Sequence, residues 1–159
     1  KLHGPIKIYY WTGELQIEGN LNYGKKEGVV IGYYRNGQLK SEGVYRNDKK
    51  NGLYKWYFQN GQIQSEEIFK NDLPVGSFKY YYENGQVRLE GKLTDNGPDG
   101  VQRTYNNEGI LISEDTWKDG EPHGPFKFYD KNGQLKEEKT YKDGELIDSK
   151  KYLEKKSTS

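Results

Sequence analysis

The chain has 159 residues, 31 % of them hydrophobic and 31 % charged, with 20 glycines, 15 tyrosines and neither cysteine nor methionine. Without cysteine there is no disulfide framework, thiolate metal site or cysteine nucleophile, and an aromatic content of 14 % argues against disorder. Lys and Arg total 25 against 24 acidic residues, so the formal charge of +1 supplies no field to attract nucleic acid or an anionic membrane surface.

Taken in chain order, the sequence repeats itself. Glycines recur every 24 residues at Gly4, Gly28, Gly52, Gly76, Gly100 and Gly124. A second glycine follows each nine residues later: Gly13, Gly37, Gly61, Gly85, Gly109 and Gly133. Counting offsets from the leading glycine, offset 5 is always tyrosine, from Tyr9 to Tyr129, and offset 14 always glutamate, from Glu18 to Glu138. Offset 11 is aliphatic and offset 17 large and apolar throughout. The repeats are therefore residues 4–27, 28–51, 52–75, 76–99, 100–123 and 124–147, forming one domain over 4–147, with a cap strand and polar tail in 148–159.

Each repeat reads as strand, tight turn, strand and return turn. Asn36, Asn60, Asn84 and Asn132 precede the second glycine. Asn-Gly between β-rich runs predicts a two-residue loop of primed type with both residues at positive φ. Gly24, Asp48, Asp72, Asn96, Gly120 and Gly144 mark the return turn. Glycine, β-branched and aromatic residues leave little room for helix. The expected fold is all-β: six hairpin repeats in one elongated, twisted antiparallel meander sheet.

The two-residue loop sets a register in which offset 3 opposes 14 and offset 2 opposes 15. Face one then carries the apolar offsets, such as Tyr54, Trp56, Phe58, Ile63 and Phe69 in the third repeat, with Glu67 as an exception. Face two carries charge: Lys7–Glu18, Lys55–Glu66, Lys79–Glu90, Arg103–Glu114 and Lys127–Glu138 are expected cross-strand pairs. Self-neutralising pairs of this kind attract little. The offset-5 tyrosines are expected to join a ladder of contacts on the same face.

The segments Gly76–Glu90 (GSFKYYYENGQVRLE) and Gly124–Glu138 (GPFKFYDKNGQLKEE) resemble the variant MORN repeat of bacterial proteins most closely. The resemblance spans residues 4–147. It implies a repeat scaffold, and among bacterial relatives the label of an antitoxin in a toxin–antitoxin pair. Other relatives are surface or exported proteins, and eukaryotic MORN proteins resemble scaffolds linked to phospholipid membranes. The fifth repeat departs most, with Gln102, Thr104 and Asn106 where the others carry aromatics.

No constellation for catalysis, cofactor or metal is found in the sequence. His3 and His123 do not follow the period, and Asp95–Gly100 lacks the closing glutamate of a calcium loop. The expected role is a non-enzymatic module that binds a protein or a second copy of itself, antitoxin-like in its narrowest form. The alternative is an exported or cell-surface protein recognising glycan or envelope material. Tyr34, Trp56, Phe58, Tyr80 and Tyr82 on face one are the candidate interaction surface, unless a curling sheet makes them core. The longest apolar stretches are only a few residues, such as Val29–Ile31, well short of the roughly 20 needed for a spanning helix. The chain starts at Lys1, read as a trimmed or processed start, so location is open between cytoplasm and export.

Overall fold

A computed structural model describes residues 2–153. All regular structure among them is strand, as the glycine, tyrosine and β-branched content requires. The chain forms two compact bodies, one ending at Gly85 and the other beginning at Gln86. The first holds β1 (Gly4–Tyr9), β2 (Leu15–Asn22), β3 (Lys25–Lys26), β4 (Gly28–Tyr33), β5 (Leu39–Arg46), β6 (Lys49–Tyr57), β7 (Ile63–Lys70) and β8 (Leu73–Tyr81). The second holds β9 (Val87–Thr94), β10 (Gly97–Pro98), β11 (Gly100–Tyr105), β12 (Leu111–Lys118), β13 (Glu121–Tyr129), β14 (Leu135–Lys142) and β15 (Glu145–Lys151). Within each body the long strands pair antiparallel with their neighbours in sequence, a meander. A cap strand is expected within 148–159; β15 instead begins at Glu145, inside the sixth repeat, and ends at Lys151. The part of the expected polar tail from 154 onward lies outside the described residues.

The Asn-Gly turns differ from the primed two-residue loop. In the third repeat the Gly61 N–H donates to the Phe58 carbonyl at 3.0 Å and the Phe58 N–H to the Gln62 carbonyl at 2.8 Å. Gly61 has φ 85°, whereas Asn60 is not among the residues with positive φ. This is a three-residue loop: a turn followed by a left-handed glycine that forms a bulge. Asn60 keeps an ordinary backbone because its Oδ1 accepts the Gln62 N–H at 2.9 Å. In the last two repeats, Asn106 and Asp130 at the start of the turn accept two N–H groups each.

The extra loop residue would shift every pair by one. A second irregularity, between Trp56 and Tyr57, shifts the register back. Tyr57 therefore opposes Ile63, but Trp56 opposes Ser65, Lys55 opposes Glu66 and Tyr54 opposes Glu67. The expected pairing of offsets 3 with 14 and 2 with 15 holds because the two departures cancel.

Primed turns do occur, at the return. Asn47 and Asp48 have φ 51° and 69°, and Asn71 and Asp72 have 52° and 70°. Arg46 pairs with Lys49 across the first and Lys70 with Leu73 across the second. After each return the strand bulges at the leading glycine, which takes positive φ, as at Gly52 with 111°.

The buried side chains all lie on face one and in the first body: Val30, Tyr54, Ser65, Phe69 and Phe78. Two small residues open the way for this layer. A Cβ on Gly43 would stand 2.0 Å from the Tyr54 ring, and one on Gly19 would meet Val30 Cγ2 at 3.0 Å.

Candidate interaction surface

Face two is knitted by the repeat's conserved-in-register tyrosines and glutamates. In the second to fifth repeats the offset-5 hydroxyl donates to the glutamate of the preceding repeat: Tyr33 to Glu18 (2.5 Å), Tyr57 to Glu42 (2.6 Å), Tyr81 to Glu66 (2.7 Å) and Tyr105 to Glu90 (3.0 Å). Glutamates at this offset also face cations, Lys55 to Glu66 at 3.3 Å and Arg103 to Glu114 at 2.8 Å across the hairpin, with Lys127 also 3.8 Å from Glu114. The bond from Tyr81, then the Lys55 ammonium, holds the Glu66 carboxyl below its ordinary pKa. Burial, and then the bond to Glu42, pushes the Tyr57 phenol up. For Tyr33 the bond to Glu18 is the larger cause of its upward shift. The tyrosine–glutamate pairing between repeats is the contact that hairpin register alone did not reveal.

On face one, the five candidate residues Tyr34, Trp56, Phe58, Tyr80 and Tyr82 are all half-buried. Tyr34 donates its hydroxyl to the Tyr57 carbonyl at 2.6 Å, tying consecutive repeats, as Tyr10 does to the Tyr33 carbonyl at 2.8 Å. The Trp56 ring centroid lies 4.3 Å from that of Tyr54 and 5.9 Å from that of Phe69. The Phe78 and Tyr80 centroids are 5.4 Å apart. Trp56 and Tyr80 thus pack on neighbouring rings while remaining half-buried.

Face one also holds charge. Glu67 is pushed above its ordinary pKa by burial, against hydrogen bonds from Tyr80 and Ser65 and the nearby Lys50 ammonium. Asp115, the equivalent residue two repeats on, is likewise raised by burial, and its Oδ1 is buried without a hydrogen-bond partner. The Trp117 Nε1 is in the same condition.

A group of exposed aliphatic side chains lies instead on face two of the first body. Val29, Val44 and Leu53 are 53 %, 40 % and 47 % exposed. With Glu42, Gly43 and Lys55 they line one shallow depression of about 270 Å³. They stand at offsets 1 and 16, which oppose each other in the register (Val29 with Val44, Leu53 with Ile68). Extending the strand alternation outward by one pair would have found them.

His123 sits with Nδ1 3.3 Å from Asp143, and among the described residues no cluster of three or more His, Asp or Glu side chains is arranged to hold a metal ion. No helix among the described residues is long and apolar enough to cross a membrane.

A 24-residue hairpin whose charged ladder joins each copy to the next defines a tandem β-repeat module. The chain belongs to the MORN repeat variant family, whose sequence profile matches residues 26–47, 50–71, 74–95, 98–119 and 122–143. The hairpin of β1 and β2 precedes these matches yet pairs in the same register, with Gly4 opposite Leu21 and Lys7 opposite Glu18. No curated protein matches the chain by sequence. Repeats of this family serve as modules for protein or membrane interaction.

Proposed function

We propose that the chain is a non-enzymatic protein-binding module that engages its partner through the aliphatic patch on face two. The observation that carries this reading is the adjacency of Val29, Val44 and Leu53, each left about half exposed by a sheet that buries rings on its other face. Grouped exposed apolar side chains rimmed by charge are the ordinary mark of a protein contact. The rim here is balanced, Glu42 against Lys55, so the patch selects by shape and apolar contact rather than by field. The narrower form, an antitoxin-like partner of a toxin, is supported by the family resemblance.

A second reading uses face one, where Trp56, Phe58 and Tyr80 are only half-buried. Co-expression with the products of the flanking genes, followed by light scattering of the purified complex, separates the two. A complex of fixed stoichiometry that Val44→Asp and Leu53→Asp abolish, with circular dichroism unchanged, supports face two. Loss with Phe58→Ala but not Val44→Asp assigns the contact to face one. Absence of any complex overturns the protein-binding reading.

A further inference from the structure

Lys50 stands half-buried among aromatic rings in the first body. Its Nζ lies 4.3 Å from the Tyr54 ring centroid, 4.6 Å from that of Trp56 and 4.7 Å from that of Phe69. Phe69 meets the other two rings at steep angles, 74° to Tyr54 and 61° to Trp56, while Tyr54 and Trp56 are tilted by 39°, so the ammonium is walled from more than one side. Glu67, opposite Tyr54 in the hairpin, adds an acidic neighbour to the same face. Two of the walls, Tyr54 and Phe69, are themselves buried, so the site's shape is set by packing.

The fold does not require a lysine there. The residue two places before the leading glycine packs opposite the offset-17 side chain in other repeats as well. It is Pro74 opposite Phe69, Pro98 opposite Leu93 and Pro122 opposite Trp117. A proline closes the apolar layer at those places. In the equivalent place of the first repeat, Lys26 reaches a single ring, 5.1 Å from the Tyr45 centroid. Only around Lys50, among the described residues, do three rings converge on one ammonium.

We propose that Tyr54, Trp56 and Phe69 form a binding cage for a quaternary or methylated ammonium, and that Lys50 is its internal stopper. Aromatic faces attract cations through the ring quadrupole, most strongly when the cation sheds its water. A primary ammonium is compact and strongly hydrated. A methylated head gives up less hydration on entry and fills the cage with its methyl groups. Lys50 holds the site by being tethered to it, so an external cation binds by displacing a competitor of high local concentration. This site is separate from the aliphatic patch and stands or falls independently of it.

The test is titration of tetramethylammonium and choline, followed by saturation-transfer NMR of the ligand methyl groups. The proteins are the native chain and the Lys50→Ala, Lys50→Thr and Lys50→Ala/Trp56→Leu variants. Removing the stopper should tighten saturable binding by about tenfold or more. Replacing Trp56 should abolish it, and the neutral isostere 3,3-dimethyl-1-butanol should bind far more weakly than choline. Lys50→Thr provides the same reading if the alanine variant does not fold. In the native chain the Lys50 ε-methylene protons should be shifted upfield by the rings and move back toward the ordinary lysine position as choline saturates. Equal binding by the isostere, no gain on removing Lys50, or unshifted ε-methylene protons would each overturn the proposal and leave Lys50 as permanent packing.

Discussion

Up to Gly85 the innermost position of the repeats is filled by Ile6, Val30, Tyr54 and Phe78; from Gln86 onward the same position holds Gln102 and Phe126. The first body buries three of its four residues at this position, and Phe69 besides. In the second body, among the described residues, no large side chain is buried to that degree, and Asp115 and Trp117 keep unpartnered polar atoms. Yet strand lengths, bulges and left-handed glycines recur in both, and Tyr105 bonds Glu90 as Tyr57 bonds Glu42. The comparison teaches that turns and the charged ladder set the backbone of a repeat, while its apolar layer sets how firmly it is held.

The sharpest way to break that contrast is to truncate the same position in each body. Tyr54→Ala should cost about 3–5 kcal/mol, the usual loss for a buried aromatic, whereas Gln102→Ala should stay within about 0.5 kcal/mol. Urea unfolding of both variants decides it, and equal losses would refute the contrast. Turn substitutions should instead act alike in both bodies. Gly61→Val and Gly133→Val each force a β-branched residue to positive φ and should cost about 1–3 kcal/mol; a neutral melting temperature at either would detach the backbone from its glycines.

Smaller effects sharpen the comparison. Tyr57→Phe and Tyr105→Phe should each cost about 0.5–1.5 kcal/mol by losing one hydrogen bond. Both phenols are raised in the folded state. Their contribution is therefore complete below the unfolded tyrosine value of about 10 and is lost as pH rises through the folded value. The alkaline limb of a melting-temperature profile should be flatter in the phenylalanine variants than in the native chain. The least effect is expected at Asp115, whose carboxyl burial raises. Its charged form opposes folding only above the unfolded value of about 3.9, so Asp115→Asn should raise the melting temperature slightly at pH 7 and leave it unchanged in strong acid. A lower melting temperature at pH 7 would show that Asp115 is satisfied in its charged state.

Fold class, the 24-residue period and the Lys–Glu register were legible because they depend on period alone. The turns were misassigned for a physical reason: Asn-Gly serves two loop types, and the left-handed glycine closes the same three-residue loop whether Thr12, Asn60 or Glu108 precedes it. At Asn60 the side chain also caps the Gln62 N–H. The distinguishing signal was present at Asn106 and Asp130, residues suited to the first position of an ordinary turn. Likewise Asn47-Asp48 and Asn71-Asp72 carry the chemistry of a primed turn and form one. The face of Val29, Val44 and Leu53 lay one pair beyond the alternation that was read. The cage around Lys50 was not legible, because it brings a lysine of one repeat against three rings of the next, where three other repeats carry proline.

The paired irregularities of each hairpin have a genetic consequence. A loop residue gained at the glycine and a bulge residue gained beside it together restore side-chain parity, so each hairpin passes on to the next strand an unaltered sense of inside and outside. A coding segment duplicated or lost as a whole repeat would therefore extend or shorten the protein without turning any later strand over, whereas a single-codon slip within a hairpin would invert everything downstream until a second slip repaired it. The strand β15 carries such a slip. Asp148 stands where the leading glycine would be, the bulge there is one residue shorter, and Glu138 meets Lys150 instead of the residue the period would supply.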